Sequence, residues 1–144
     1  MAYLDVMDAK TAFISPENAR DKGTELQEAY VGASPFPHTV IDNFLPDELA
    51  QRILDSFASS EGGDDLNQSY ERAQERFKTS YHPDTLDPEL RAIFYAFNSR
   101  PFLKVVENLT GIKGLIPDPY FFGGGLHEIN QGGQIGRASC RERV

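Results

Sequence analysis

The histidine and cysteine side chains that could bind a metal are few and scattered in this 144-residue chain. Its three histidines, His38, His82 and His127, lie far apart, and Cys140 is the only cysteine, so neither a disulfide framework nor a thiolate zinc cluster is expected. Iron and zinc need several ligands that converge in space. The spacing therefore assigns no catalytic residue and no metal ligand. We expect His38 to be structural, and His82 to lie in a solvated loop or on an arm beside a substrate.

Two glycine groups, Gly123-Gly124-Gly125 and Gly132-Gly133, invite comparison with a phosphate-binding loop. A dinucleotide fingerprint needs a strand before it, a helix after it and a third glycine at fixed spacing. Glu128 occupies that third position, and no helical pattern follows. We therefore expect these glycines to allow a bulge or a close backbone approach at the edge of a sheet.

The residues between the two glycine groups alternate as in a strand. Period-2 alternation places Leu126 and Glu128 on one face and His127 and Ile129 on the other. A role for His127 and Ile129 as side chains that face a cofactor-binding cavity is implied by the family resemblance given below, not by the alternation. The alternative for His127 is a half-buried, hydrogen-bonded histidine without a ligand.

Helical signals dominate the first part of the chain. Serine or aspartate beside proline is typical of a helix start, and such pairs precede predicted helices at Ser15-Pro16, Pro46-Asp47, Asp87-Pro88 and Ser99-Arg100-Pro101. Gly23 is expected to weaken the first helix, and Gly111 to end the fourth. Apolar residues at helical spacing predict the buried faces: Leu49, Ala50, Ile53, Leu54 and Phe57; Leu90, Ile93, Phe94 and Phe97; Phe102, Leu103, Val106 and Leu109.

Strand signals are weaker. The segment from His38 to Phe44 is β-branched around Val40 and Ile41 and predicts a short strand. A second strand, interrupted by glycines, is predicted from Tyr120 to Asn130, where some of the three consecutive aromatic residues should reach the core. The charged segment from Ser69 to Ser80 fits a short helix or an irregular arm. Helices followed by strands predict an α+β fold.

Composition narrows the classes of function. The chain has 14 basic and 22 acidic residues, a net charge of −8, which argues against a nucleic-acid or anionic-membrane surface. With 40% hydrophobic residues it is typical of a globular domain or part of one. No apolar run is long enough for a membrane span, and the acidic start does not resemble a signal peptide. We expect a cytoplasmic protein.

The final ten residues, Ile135 to Val144, differ from the rest of the chain. Their sequence, IGRASCRERV, is the translation of ATC GGA AGA GCG TCG TGT AGG GAA AGA GTG, which resembles a sequencing adapter. We expect residues 135–144 not to be native and exclude them from the fold prediction. The alternative is a short basic tail.

Three segments together resemble the iron- and 2-oxoglutarate-dependent oxygenases of the prolyl 4-hydroxylase type. PFPHTVIDNFLPDELAQRIL (Pro35 to Leu54) is similar to the family's N-terminal strand and helix. NSRPFLKVVENLTGIKGLIPDP (Asn98 to Pro119) resembles the helix and loop before the catalytic core. GGGLHEINQGG (Gly123 to Gly133) resembles the first core strand and its turn. The resemblance divides the chain into an N-terminal extension (1–34), the N-terminal part of an oxygenase domain (35–134) and the adapter-like residues (135–144).

The resemblance implies a double-stranded β-helix, a jelly-roll or cupin-like core, that binds Fe(II) through two histidines and an aspartate. It also implies 2-oxoglutarate as co-substrate, held by a basic residue, and ascorbate as reductant. Family members carry these ligands after the matched segments, so we expect this fragment to be inactive and its longer parent to be a hydroxylase acting on prolyl or other amino-acid residues.

In several relatives a tyrosine on the first core strand contacts the co-substrate, and Ile129 stands in its place here. The alternative function is a non-catalytic α+β binding or scaffold domain. The sequence leaves open whether the substrate is a protein or a small molecule.

Overall fold

The structure of the protein is a computed structural model that describes residues 1–57, 68–72 and 75–134. The described chain contains helices and an antiparallel sheet, which confirms the expected α+β class. Its elements in order are α1 (Pro16–Gly32), α2 (Asp47–Phe57), β1 (Gln68–Arg72), β2 (Glu75–Tyr81), a 3₁₀-helix (Pro83–Thr85), α3 (Pro88–Phe97), α4 (Arg100–Thr110) and β3 (Leu126–Gln134). The adapter-like residues 135–144 lie outside the described ranges.

The four helices begin where the sequence predicts, and α3 shows the capping chemistry directly. The Asp87 carboxylate accepts hydrogen bonds from the backbone N–H groups of Glu89 and Leu90 at 2.9 and 3.1 Å, and so caps α3. Gly111 ends α4 in the left-handed conformation, with φ of 78°. Helix boundaries were therefore predictable from local residue types.

Helices α1 and α4 pack against each other at Gly23. A Cβ atom on Gly23 would lie 2.0 Å from the Val105 carbonyl oxygen and 2.7 Å from the Leu109 nitrogen, so the two backbones are in contact. The helices run in the same direction, since Pro16 shares a cleft with Pro101 while Gln27 reaches Gly111. The sequence presents Gly23 only as a weak point in a helix, whereas the structure shows that it permits this close approach.

The core lies among the helices and extends to one end of the sheet. Residues 1–15 contribute to it: Leu4 is fully buried, and Met7 pairs with Ile14 in an isolated β-bridge. From β2, Tyr81 is buried, and Leu126 at the start of β3 packs against the same cluster. The buried hydrophobic residues of this cluster are Leu4, Met7, Ala12, Ile14, Ala19, Leu49, Tyr81, Leu86, Leu90, Ile93, Ala96 and Val105.

The predicted helix faces are correct in part. Leu49, Leu90 and Ile93 are buried as expected, and Ile53, Phe94, Phe97 and Phe102 pack at the edge of the core. Ala50 and Leu54 are exposed, and Phe57 lies at a position whose side chain is not described. In α4 the most buried residues are Val105 and Glu107, while Leu103, Val106 and Leu109 are only half-buried. The face of α4 is rotated because α1 packs directly on the backbone at Val105.

The sheet has the order β1-β2-β3 and is antiparallel throughout. The expectation of a helix or irregular arm from Ser69 to Ser80 is wrong, because this segment folds back on itself to pair Ser69 with Thr79. Its charged sequence lacks the alternating pattern of a half-buried strand, so only strand pairing reveals the hairpin. β2 also pairs with β3, with a register shift between Arg76 and Lys78.

Two strand predictions require correction. The segment from His38 to Phe44 forms no strand, and Val40 is 83% exposed. Asn43 has a positive φ of 51°, which turns the chain there, and Phe44 instead packs against Tyr3, Phe97 and Phe102. The second predicted strand begins later than expected, at Leu126, because residues 119–124 form turns.

Across the described residues, no helix combines the length and the apolar character that crossing a membrane requires.

The contact at Gly23 gives a stability test. Replacing Gly23 with alanine should destabilise the fold by about 3 kcal/mol or more, because the added methyl group meets backbone atoms that cannot move aside. Gly32→Ala in the same helix is the matched control, since a Cβ there meets nothing within 4 Å. It should change the free energy of unfolding by less than about 1 kcal/mol. Urea unfolding of both variants measures the difference, and equal unfolding free energies would contradict the proposed role of Gly23.

Candidate functional site

The candidate site is the surface of β3 together with residues 111–125, which lead into it. His127 pairs with Ser80 of β2, and Ile129 pairs with Lys78. His127 is exposed and Ile129 is 39% exposed. Directly paired residues lie on the same face of the sheet, so His127 and Ile129 share one face with Ser80 and Lys78. This face points away from the helices, because the alternate residue Leu126 packs against the core.

The opposite face of β3 is attached to the core. Leu126 packs against the buried cluster, and the Glu128 carboxylate accepts a 2.9 Å hydrogen bond from the buried Tyr81 hydroxyl group. The predicted alternation is therefore confirmed: Leu126 and Glu128 are half-buried, and His127 and Ile129 are exposed. The expected half-buried, hydrogen-bonded environment belongs to Glu128 and not to His127.

The glycines before and within β3 allow close contacts. Gly125 has φ of 146°, and a Cβ atom there would lie 2.2 Å from the Tyr81 carbonyl oxygen. At Gly133 a Cβ atom would lie 2.6 Å from Ile129 and 2.9 Å from the Arg76 carbonyl oxygen, next to the register shift in β2. The predicted close backbone approach and bulge are confirmed at these two positions.

His82 holds the 3₁₀-helix against the turn before β3. Its Nδ1 accepts a hydrogen bond from the backbone N–H of Asp84 at 3.2 Å, and its Nε2 lies 3.1 Å from the Tyr120 carbonyl oxygen, to which it donates. The ring also meets Phe121 edge to face, with centroids 6.2 Å apart. His82 is thus a structural connection and not the solvated loop residue that the sequence suggests.

The sequence prediction assigned no metal ligand, although His82-Pro83-Asp84 has the His-x-Asp spacing of an iron-binding pair. Both ring nitrogens of His82 are engaged within the protein, so the ring presents no free lone pair to a metal. Asp84 accepts a 3.0 Å hydrogen bond from the Tyr95 hydroxyl group. This bond to Asp84 raises the pKa of the Tyr95 hydroxyl above its ordinary value. The arrangement fits a structural hydrogen-bond network better than a metal site.

Asp118 organises the turn that precedes β3. Its carboxylate accepts hydrogen bonds from the backbone N–H groups of Tyr120 and Phe122 at 2.9 and 2.6 Å. Asn98, the C-cap of α3, accepts the Asp118 N–H at 3.0 Å and donates to its carbonyl oxygen. Phe121 turns inward with φ of 47° and is buried, so one of the three aromatic residues reaches the core as predicted.

Glu107 holds the start of the connection that leads from α4 to β3. This carboxylate is 3% exposed, and it accepts hydrogen bonds from the backbone N–H groups of Gly114 and Leu115 at 2.8 and 3.0 Å. It also forms an ion pair with Lys104. The bond to Lys104 and the two backbone bonds lower the pKa of the Glu107 carboxyl below its ordinary value of 4.5. Glu107 therefore fixes where the chain leaves α4.

His38 contacts Phe36 near it in sequence and forms no hydrogen bond with the described residues of this site. Its Nδ1 lies 2.8 Å from the Phe36 carbonyl oxygen, and its ring is tilted against the Phe36 ring. In the ranges that the structure describes, no group of three His, Cys, Asp or Glu side chains is close enough to hold a metal ion.

Sequence reasoning missed Asn98, Glu107 and Asp118. Asp118 had a usable signal, because an aspartate between two prolines is typical of a turn in which the carboxylate caps nearby N–H groups. Glu107 had a weaker sequence signal, since it follows Leu103 by one helical turn and so lies beside the apolar face of α4. The long-range partner of Asn98 had no local signal.

Comparisons of the chain with protein-family models, with curated proteins and with solved structures found no match.

The close approach at Gly125 can be tested against its neighbour. Gly125→Ala should lower the unfolding free energy by about 2 kcal/mol or more, since alanine disfavours this φ and its methyl group would overlap the Tyr81 carbonyl. Gly124→Ala is the control, because a Cβ there makes only ordinary contacts, the nearest at 3.6 Å. Chemical unfolding measures both, and a Gly125→Ala protein as stable as Gly124→Ala would contradict the assigned geometry.

The lowered pKa of Glu107 predicts a pH dependence. Because the folded pKa lies below the ordinary 4.5, Glu107 stabilises the fold fully above that pH, and this stabilisation is lost as the pH falls through the folded pKa. Glu107→Gln should lower the thermal midpoint at neutral pH and flatten its fall at acidic pH. Glu28→Gln, at an exposed position of α1, is the control and should reproduce the wild-type profile. Identical pH profiles for Glu107→Gln and wild type would contradict the role of the carboxylate.

Proposed function

We propose that the chain is the N-terminal part of an Fe(II)- and 2-oxoglutarate-dependent oxygenase of the prolyl 4-hydroxylase type, whose catalytic core begins at β3. The observation that carries the proposal is the segment Gly123 to Gly133. Its sequence resembles the first core strand of that family, and it forms the turn into β3 and most of that strand. Of the other two resembling segments, Pro35 to Leu54 contains most of α2, and Asn98 to Pro119 contains α4.

The two faces of the sheet support this proposal. In a double-stranded β-helix, one side of a core strand packs outward and the other lines the barrel interior. Leu126 and Glu128 are attached to the helical core, so the face with His127 and Ile129 is the one that a closed barrel would enclose. Both side chains would then line the co-substrate cavity.

The free edge of β3 is a second supporting feature. Among the described residues, β3 pairs with β2 and with no other strand. An unpaired edge carries free N–H and C=O groups that another strand can bind. A following core strand could extend the antiparallel sheet there, as the jelly-roll architecture requires.

The described residues by themselves do not fit an Fe(II) site, because no three ligands converge and both nitrogens of His82 are occupied. The resemblance places the two histidines, the aspartate and the basic 2-oxoglutarate-binding residue beyond Gln134. Bound iron would supply oxygen activation. The residues of this chain would hold β3 in place and direct His127 and Ile129 toward the cavity. The substrate of the proposed oxygenase is either a protein or a small molecule.

A binding or scaffold function is the second candidate, and one observation favours it. Ile116, Tyr120 and Phe122 are 85%, 79% and 95% exposed on a connection that hydrogen bonds hold in place. Exposed apolar side chains on a fixed backbone are typical of contact surfaces.

The oxygenase proposal predicts where activity resides. The 144-residue chain should not convert 2-oxoglutarate to succinate with Fe(II) and ascorbate, whereas a longer protein that continues the native sequence past Gln134 should do so only with Fe(II). In the longer protein, His127→Ala should raise the KM for 2-oxoglutarate several-fold, because it alters the cavity wall. His38→Ala, at an exposed position outside β3, is the control and should leave KM unchanged. Succinate formation, followed with each protein, gives the measurement.

Two outcomes would contradict the proposal. Fe-dependent turnover by the 144-residue chain would show that its own residues form the metal site. A longer protein that contains a His-x-Asp and a distal histidine but converts no 2-oxoglutarate, across peptide and small-molecule substrates, would favour the binding function.

A further inference from the structure

A cationic cleft lies where α1 and α4 begin. It has a volume of about 260 Å³, and Pro16, Arg20, Arg100, Pro101 and Lys104 line it. An adjoining cleft of about 400 Å³ shares Arg100 and Lys104 and reaches Lys113. The two openings form one basic surface on the side of the helices, and His127 and Ile129 line neither of them.

The charge of this surface is opposite to that of the whole chain. The protein has a net charge of −8, yet three cations and no acidic residue line the smaller cleft. Lys104 is already neutralised by Glu107. The side chains of Arg20 and Arg100 form no hydrogen bond or ion pair with any residue that the structure describes. Two exposed guanidinium groups in one cleft therefore have no charged partner among the described residues.

The backbone adds to this positive potential. Because α1 and α4 run in the same direction, their N-terminal ends, at Pro16 and Arg100, open onto the same cleft. Helix N-termini carry partial positive charge, although Pro16 and Pro101 supply no N–H and the acidic Glu17 lies in the first turn of α1. Neither N-cap residue, Ser15 or Ser99, uses its side chain to cap its helix. The buried Ser99 hydroxyl has no hydrogen-bond partner in the described part of the chain, but it lines neither cleft.

We propose that the cleft of Arg20, Arg100 and Lys104 binds the phosphate group of a small phosphorylated molecule. A phosphate monoester carries two negative charges near neutral pH, which matches the two guanidinium groups. The planar guanidinium group donates two parallel hydrogen bonds to phosphate oxygens. The adjoining cleft leaves room for the organic part of the ligand beside Lys113. This site is independent of the proposed oxygenase chemistry.

Titration calorimetry with glycerol 3-phosphate tests the proposal on the 144-residue chain at low salt, with ionic strength matched by sodium chloride. We expect saturable binding that Arg20→Gln and Arg100→Gln each weaken roughly tenfold, the effect of losing one charge-assisted hydrogen-bond pair. Arg91→Gln is the matched control, because Arg91 is exposed on α3 and lines neither cleft. It should bind as the wild type does.

Further arms identify the ligand chemistry and exclude misfolding. Inorganic phosphate should compete with glycerol 3-phosphate, while glycerol and succinate should not. Arg20→Lys and Arg100→Lys keep the charge but lose the planar fork, and should bind with intermediate affinity. Far-UV circular dichroism confirms that each variant is folded. Three results would overturn the proposal. The wild-type chain could show no saturable binding, or the folded Arg→Gln variants could bind glycerol 3-phosphate as tightly as the wild type. The third is succinate binding as tightly as the phosphate ester.

Discussion

Gly23 brings the backbones of α1 and α4 into direct contact, and the arrangement of the other elements depends on this contact. The missing side chain lets the Val105 carbonyl approach where any Cβ atom would overlap it. The close packing fixes which face of α4 turns inward, and so buries Glu107. It also aligns the N-terminal ends of the two helices at one cleft. A residue that is unfavourable for an isolated helix thus sets the geometry of the helix pair.

Side chains that hydrogen-bond to backbone groups position the connection between α4 and the sheet. Glu107 holds Gly114 and Leu115, Asn98 holds Asp118, and His82 contacts Tyr120. Such bonds satisfy the polar backbone of a long connection that has no regular secondary structure of its own. They define where β3 begins and therefore which of its side chains turn toward the helices. The position of His127 and Ile129 follows from these anchors.

The two proposed sites occupy different parts of the molecule and depend on different forces. The cavity proposed at β3 requires strand pairing and alternation, because these place His127 and Ile129 on the face opposite the core. The proposed phosphate site requires only the helix pair and the charges of Arg20 and Arg100. Each proposal can therefore fail without the other. The overall acidity of the chain makes the cationic cleft a local exception that favours anions through short-range contacts.

The helices and the alternation in β3 were predictable from the amino-acid sequence, because both depend on neighbouring residues. Asp87 caps the helix that follows it, Gly111 ends α4, and Leu126 to Ile129 alternate in any strand. Long-range contacts set the hairpin of β1 and β2, the absence of a strand from His38 to Phe44, and the roles of Gly23 and Glu107. Each of these depends on a partner distant in sequence. From the sequence, Gly23 predicts only a weaker helix, whereas in the structure it lets Val105 approach. The sequence likewise does not show that the Gly114 and Leu115 N–H groups donate to Glu107.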